Sequence, residues 1–193
     1  MRVISGQAKG RRIKAPKGRA LRPTADRVKE ALFNILPNDL SGYRVLDLFA
    51  GTGSLTLEAL SRGAAEGRLI DTSREARKAI HQNLQALGLS ERAKLWQAPV
   101  LRSIRLLSRK GETFDLIFLD PPYERGLVEP TLRAIAQGGI LRARGRVIVE
   151  HSAREEVAAQ YGPLSLVDQR RYGGTLLSFF GLSREEASKD GEI

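Results

Sequence analysis

A chain of 193 residues with a net charge of +10 and no cysteine fits one domain with its own core, and it excludes disulfides, thiolate metal sites and cysteine nucleophiles. Two histidines are too few for most metal centres, and neither the apolar core of a signal peptide nor about 18 continuous apolar residues occurs. A soluble, cytoplasmic, monomeric protein that needs neither metal nor membrane is expected.

The charge is unevenly placed. Residues 1–30 carry ten basic side chains, among them Arg2, Lys9, Arg11, Arg12, Lys14 and Arg22, against only Asp26 and Glu30. With Gly6, Gly10 and Gly18 interleaved, this segment suits an arm or ribbon that follows a phosphate backbone and releases counterions. The alternative is a solvated, nonspecific surface. Truncating residues 1–20 is expected to weaken RNA binding and flatten its salt slope while leaving the sheet folded.

After the arm, Arg22-Pro-Thr-Ala-Asp-Arg-Val-Lys-Glu-Ala-Leu-Phe-Asn-Ile-Leu reads as a helix. Thr24 is its expected cap, Asp26 sits in its first turn, and Val28, Leu32, Ile35 and Leu36 recur at helical spacing until Pro37. Strands and helices then alternate: a strand over residues 43–49, a helix over 54–62 closed by Gly63, a strand over 68–71, and a helix with Ile80, Leu84 and Leu87 on one face ending at Gly88. There follow a strand near 94–97, a helix around Ile104 and Leu107, a strand from Phe114, a helix over about 129–137 and the strand 146–150. This order predicts an α/β fold with a parallel sheet covered on both faces. Near the C-terminus, residues 164–167 and 175–180 flank Gly173-Gly174 and read as an antiparallel hairpin. The organisation is thus a basic arm and helix over residues 1–40, one α/β domain over 41–183 and a polar tail over 184–193 expected to be disordered.

In such a sheet, ligands bind beyond the carboxyl ends of the strands. The first strand runs into Asp47-Leu-Phe-Ala-Gly-Thr-Gly-Ser, where Gly51 and Gly53 let a ligand approach the backbone around Phe49 and Ala50. The second strand ends at Asp71, 18 residues after Gly53, where a carboxylate can accept both ribose hydroxyls. A dinucleotide fingerprint would need glycine where Thr56 stands, and no lysine follows the loop for a phosphate. Acids beside an open glycine loop suit a cationic, phosphate-free nucleoside, and S-adenosylmethionine fits, its amino acid end by Asp47 and its ribose by Asp71. A merely structural tight turn, or another nucleotide, is the competing reading of the loop taken alone.

The apolar strand from Phe114 ends in Asp120-Pro-Pro-Tyr123. Two prolines stop a ladder and hold what precedes them rigidly. An exocyclic amine of a nucleobase is a poor nucleophile because its lone pair is delocalised into the ring. The Asp120 carboxylate and the Pro121 carbonyl can accept its N–H groups and favour the pyramidal geometry that attacks an electrophilic methyl. Tyr123 can stack on a base that is flipped out or unpaired. An ordinary strand-ending turn is the competing reading of the tetrapeptide alone. His81, mid-helix, and His151, after a strand, are assigned no role, and Trp96 and Phe179-Phe180 are read as core.

Together, D-L-F-A-G-T-G-S-L-T-L-E-A-L-S-R-G, the acid at Asp71 and D-P-P-Y resemble the class I, S-adenosylmethionine-dependent methyltransferases of the amino-methylating type. The N-terminal R-V-I-S-G-Q-A-K-G-R-R-I and L-R-P-T-A-D-R-V-K-E-A-L-F-N-I-L narrow the resemblance to the bacterial 16S rRNA guanine-N2 methyltransferases. It runs from about residue 2 to 181. It implies a Rossmann-like, seven-stranded, mostly parallel sheet with its last strand antiparallel, and guanine N2 methylation in small-subunit rRNA, preferring partly assembled 30S particles. It also implies that Arg22-Pro23-Thr24 closes over the methionine end of the cofactor. The family usually carries Asp or Asn beside Ala after the third strand, and Gln97-Ala98-Pro99 stands here, so the adenine contacts around Ala98 are expected from backbone groups.

Three other functions compete. An adenine-N6 methyltransferase on DNA would use the same D-P-P-Y, but 193 residues leave no separate target-recognition domain. The release-factor glutamine methyltransferases usually show Asn in place of Asp120. A non-catalytic rRNA-binding assembly protein would bind RNA with steep salt dependence and incorporate no methyl.

Overall fold

The structure, a computed structural model, describes residues 1–15 and 23–183, the latter without the side chains of residues 23–25. The chain forms two compact units, Met1–Ala98 and Pro99–Ile193. The expected roles of Arg22, of the Thr24 side chain and of the tail over 184–193 lie outside the described residues.

The first unit holds helix α1 (Pro23–Ile35), strand β1 (Arg44–Leu48), helix α2 (Ser54–Ser61), strand β2 (Glu66–Asp71), helix α3 (Arg74–Leu87) and strand β3 (Ala93–Gln97). The order is β3-β2-β1, with both pairings parallel. Helix α1 begins at Pro23, so Thr24 is its second residue and not its cap; the fixed φ of proline suits the first helical position, whose N–H has no helical partner. Val28, Leu32 and Leu36 are buried as the spacing predicts, but Ile35 is 43% exposed and Phe33 takes the core position instead. The Arg62 guanidinium covers the Phe33 ring at 4.9 Å. Helix α3 is capped by Ser73, whose hydroxyl accepts from the Ala76 N–H at 3.2 Å, and by Gly88 in the left-handed region.

The basic N-terminal segment is a docked ribbon and not a detachable arm. Arg2 and Arg12 form an antiparallel bridge. Val3, Ala8 and Ile13 are buried, whereas Arg2, Lys9, Arg11, Arg12 and Lys14 stay exposed. The buried Glu58 carboxylate of α2 accepts from the backbone N–H groups of Ile4 (2.7 Å) and Ser5 (3.0 Å) and pairs with Arg62 and Lys29. Gly6 has φ +78°, and a Cβ there would lie 1.8 Å from the Ser61 carbonyl oxygen; only glycine allows this approach. Removing the segment would strip three core residues and take from Glu58 two of its donors, so the ribbon is part of the packing of the first unit.

The second unit holds helix α4 (Val100–Arg109), strand β4 (Phe114–Leu119), helix α5 (Val128–Gly138) and strands β5 (Leu141–Ser152), β6 (Gln160–Tyr161), β7 (Leu164–Tyr172) and β8 (Thr175–Leu182). The order is β4-β5-β8-β7-β6; β4 and β5 are parallel and the other pairings antiparallel. Five apolar residues of β4, Phe114 and Leu116 to Leu119, are buried. The β7–β8 hairpin forms across Gly173, at φ 62°, as Gly173-Gly174 predicts. Strand β5 is longer than the predicted 146–150, and it contains His151. That side chain is buried in the strand, with Nε2 2.8 Å from the Ser178 hydroxyl, so it is a core histidine and does not merely follow a strand.

Eight strands, not seven, occur among the described residues. The extra one, β6, has two residues, folded back on β7 across Gly162 at φ 56° and anchored by Tyr161 packed edge-on against Phe180 at 5.9 Å. Two residues carry no readable alternation, which is why the sequence pattern misses it. Phe179 and Phe180 are core as expected, but Trp96 is only half-buried, its ring covered by the Arg68 guanidinium at 4.8 Å. No helix among the described residues is long and apolar enough to cross a membrane.

Candidate active site

In the first unit, the turn after β1 is built from backbone conformations that side chains rarely adopt. Phe49 has φ 65°, and Gly51 and Gly53 have φ 57° and 76°. A Cβ on Gly53 would come within 3.1 Å of Leu69 and 3.3 Å of Ile80, so this glycine is required for close packing as well as for φ. The loop is tied to β2: the Ala50 N–H donates to the Ile70 carbonyl at 3.0 Å, and the Gly51 N–H to Asp71 Oδ2 at 2.8 Å. Asp71 Oδ1 accepts from the Ser73 N–H at 2.8 Å. Each carboxylate oxygen keeps a further lone pair, so Asp71 braces the loop and can still receive hydroxyls at the strand end.

Asp47 lies below the loop, 1% exposed, with Oδ2 accepting from the Thr56 hydroxyl at 2.9 Å. Burial, opposed by the Thr56 hydrogen bonds and assisted by the nearby Asp71 charge, pushes its carboxyl up to about 7. Asn83, which sequence reasoning missed, is the second brace. Its amide donates to the Thr52 carbonyl at 3.1 Å and to the Lys14 carbonyl at 3.0 Å, while its Oδ1 accepts from the Lys14 N–H at 2.9 Å. The ribbon and the glycine loop thus share one buried side chain. After β3, Ala98 is half-buried, and the Gln97 side chain donates to the Thr72 carbonyl at 3.2 Å.

In the second unit, β4 delivers Asp120 at the surface and Pro121 in the interior, and Tyr123 is half-buried. The Tyr123 hydroxyl donates to Glu150 Oε1 at 2.7 Å and lies 3.1 Å from the Thr175 hydroxyl. Burial first, then the Glu150 charge, raise the phenol well above the ordinary tyrosine range, and burial raises the Glu150 carboxyl. Glu124 has φ 57° and its carboxylate accepts from the Ser152 hydroxyl at 3.3 Å. The signal for Glu150 was present, because it is an acid near the carboxyl end of a strand, the same pattern that selects Asp47 and Asp71. The positive φ values of Phe49 and Glu124 carried no such signal.

Alternating strands and helices, a glycine loop after β1 closed by an acid after β2, and D-P-P-Y after β4 define the class I methyltransferase fold. The chain belongs to the family described as Conserved hypothetical protein 95, whose model matches residues 1–181. It is similar to Ribosomal RNA small subunit methyltransferase D of Escherichia coli, 40% identical over 152 residues that span 78% of this chain and 74% of that one. The solved structure of the Escherichia coli protein yhhF is 33% identical, with a TM-score of 0.81, covering 95% of this chain and 98% of that chain. SMU.776, crystallised with SAH, shares the fold at 17% identity and a TM-score of 0.66, over 83% of this chain and 50% of that one.

Proposed function

We propose that this protein transfers a methyl group from S-adenosylmethionine to the exocyclic N2 of a guanine in small-subunit ribosomal RNA. The observation that carries the reading is D-P-P-Y at the end of β4 in a chain whose family match runs through residues 1–181. Residues 41–183 carry the chemistry, and residues 1–40 add the basic ribbon. The work is done in the cytoplasm by a monomer, on naked rRNA or on a partly assembled 30S particle.

The residues present fit the cofactor. The loop holds glycines in left-handed conformations and no lysine, and the half-buried Asp71 carboxylate stands beside it, an acceptor suited to a cationic, phosphate-free nucleoside. Asp47, enclosed and bonded to Thr56, supports the loop from below instead of meeting the amino acid end directly. Phe49, Ala50, Gly51 and Gly53 would line it, Asp71 would take the ribose hydroxyls, and Ala98 the adenine. Thr24 is proposed at the methionine end. When bound, S-adenosylmethionine supplies an electrophilic methyl and its own leaving group.

The chain's own residues prepare the amine. Asp120 and the Pro121 carbonyl accept its two N–H groups, which draws the nitrogen lone pair out of conjugation and toward the methyl. The two prolines hold these acceptors in place, and the Tyr123 ring stacks on the base. Exposed Arg2, Lys9, Arg11, Arg12 and Lys14, with Arg22, contact RNA phosphates. The test is methyl transfer from radiolabelled S-adenosylmethionine to unmodified small subunits, naked rRNA and duplex DNA in parallel, with nucleoside analysis. Label as N2-methylguanosine at one rRNA site is expected. Label as N6-methyladenine in DNA would overturn the substrate, and no label with tight RNA binding would overturn the enzyme.

A further inference from the structure

We infer that Glu150 and Thr175 are positioning residues that clamp the Tyr123 hydroxyl and so set the plane in which its ring meets the target base. The inference rests on the reading of Tyr123 as the stacking residue. Its geometry lies entirely within the β5–β8 ladder and the loop after β4. Strand β5 pairs with β8 through Glu150 opposite Leu177 and Ser152 opposite Thr175. Side chains two residues apart on a strand share a face, so Glu150, Ser152 and Thr175 form one diagonal patch on one face of the ladder.

That patch holds the loop at two consecutive residues. Glu150 and Thr175 take the Tyr123 hydroxyl at 2.7 and 3.1 Å, and Ser152 takes the Glu124 carboxylate at 3.3 Å. The phenol has a single proton, and it goes to the Glu150 carboxylate; the Thr175 hydroxyl then donates to the phenol oxygen. Ser152 and Thr175 are buried, so water competes weakly for these bonds. A tyrosine needed only for ring area would require no such arrangement, since phenylalanine offers the same face. Two fixed partners on a ladder that cannot slide stop the ring from swinging about χ1, and Ser152 holds Glu124 beside it in its left-handed turn. The raised phenol keeps its proton, and so remains a donor, throughout the neutral pH range.

The variants Tyr123→Phe, Thr175→Val and Glu150→Ala test the clamp, with Thr175→Ser and Glu150→Gln as conservative rescues. Single-turnover transfer to unmodified small subunits, at saturating cofactor, is expected to fall about 10-fold to 100-fold in the first three, with cofactor affinity within a few fold and most of the rate restored in the rescues. In the Tyr123→Phe background, Glu150→Ala and Thr175→Val are expected to add nothing, because they act through the hydroxyl already removed. Additive losses, or rates within twofold of wild type, would overturn the clamp. A second readout needs no activity. In protein labelled with 3-fluorotyrosine, the fluorine resonance that Tyr123→Phe deletes should move toward the free amino acid position in Thr175→Val and Glu150→Ala; an unmoved resonance also overturns it. Wild-type protein that transfers no methyl yet shows this shift would sink the functional reading and leave the clamp standing.

Discussion

At the residue scale, the same chemical group has opposite fates at the ends of neighbouring strands. Asp71 is half-buried and receives two backbone N–H groups, whereas Asp47 is enclosed and carries its carboxyl up to about 7. The sign of the consequence follows from linkage. Between the unfolded value of 3.8 and about 7, the folded state holds a proton that the unfolded chain has released. Stability therefore falls as pH rises through that window, by up to roughly 1.4 kcal/mol per unit. Asp47→Asn keeps an acceptor for Thr56 and removes the titration. Denaturant unfolding at pH 5 and pH 8 should show a smaller difference between the two conditions in the variant than in wild type. Asp120→Ala is a different kind of change, because Asp120 is at the surface beyond its strand. It is expected to abolish turnover with cofactor affinity within a few fold, measured by equilibrium binding beside the transfer assay; substantial residual methylation would remove Asp120 from the mechanism.

At the element scale, the ribbon of residues 1–15 and helix α2 depend on one buried carboxylate. Glu58 satisfies two ribbon N–H groups and compensates Arg62 and Lys29, whose own ammonium is pushed down by burial. Glu58→Ala leaves two buried cations and two orphaned donors, and breaking such a group costs about 3 to 5 kcal/mol. The exposed pair of Arg133 with Glu129 on α5, at 2.7 Å, is shorter but solvated, and Glu129→Ala should cost less than about 0.5 kcal/mol. Urea midpoints of the two variants decide this, and amide exchange should speed up across residues 3–8 in the first only. The elements themselves were legible where the pattern is local: α3 between Ser73 and Gly88, β4 as an apolar run broken only at Asp115, and the hairpin across Gly173. The ribbon was legible as charge but not as structure, because its buried residues Val3, Ala8 and Ile13 are too widely spaced to outweigh the basic residues between them.

At the scale of the whole molecule, the net charge of +10 matters through its placement. Docking of Val3, Ala8 and Ile13 turns Lys9, Arg12 and Lys14 outward on a fixed backbone. Such a surface can meet phosphates without first ordering a free arm, which lowers the entropic cost of binding. Replacing these three with glutamine should lower the slope of log affinity against log salt by about 2 for a single-stranded RNA contact, with the melting temperature nearly unchanged. An unchanged slope would mean that the ribbon is not the RNA grip. Substitution is the right test, because truncation would remove core residues together with the charges.

What the sequence determined by itself was the alternation of elements, the glycine loop, the strand-end acids and D-P-P-Y, because backbone propensity, glycine and proline stereochemistry and apolar spacing act over a few residues. Tertiary structure alone decided which polar groups meet. Asn83 reaches Lys14 and Thr52, Glu58 reaches Ile4 and Ser5, and Glu150 and Thr175 reach Tyr123. Those pairs lie 27 to 69 residues apart in the chain, and a hydrogen bond over such a distance leaves no local pattern to read. Its existence depends on the register of β5 against β8 and on how the ribbon seats on α2, and both are settled only when the core closes.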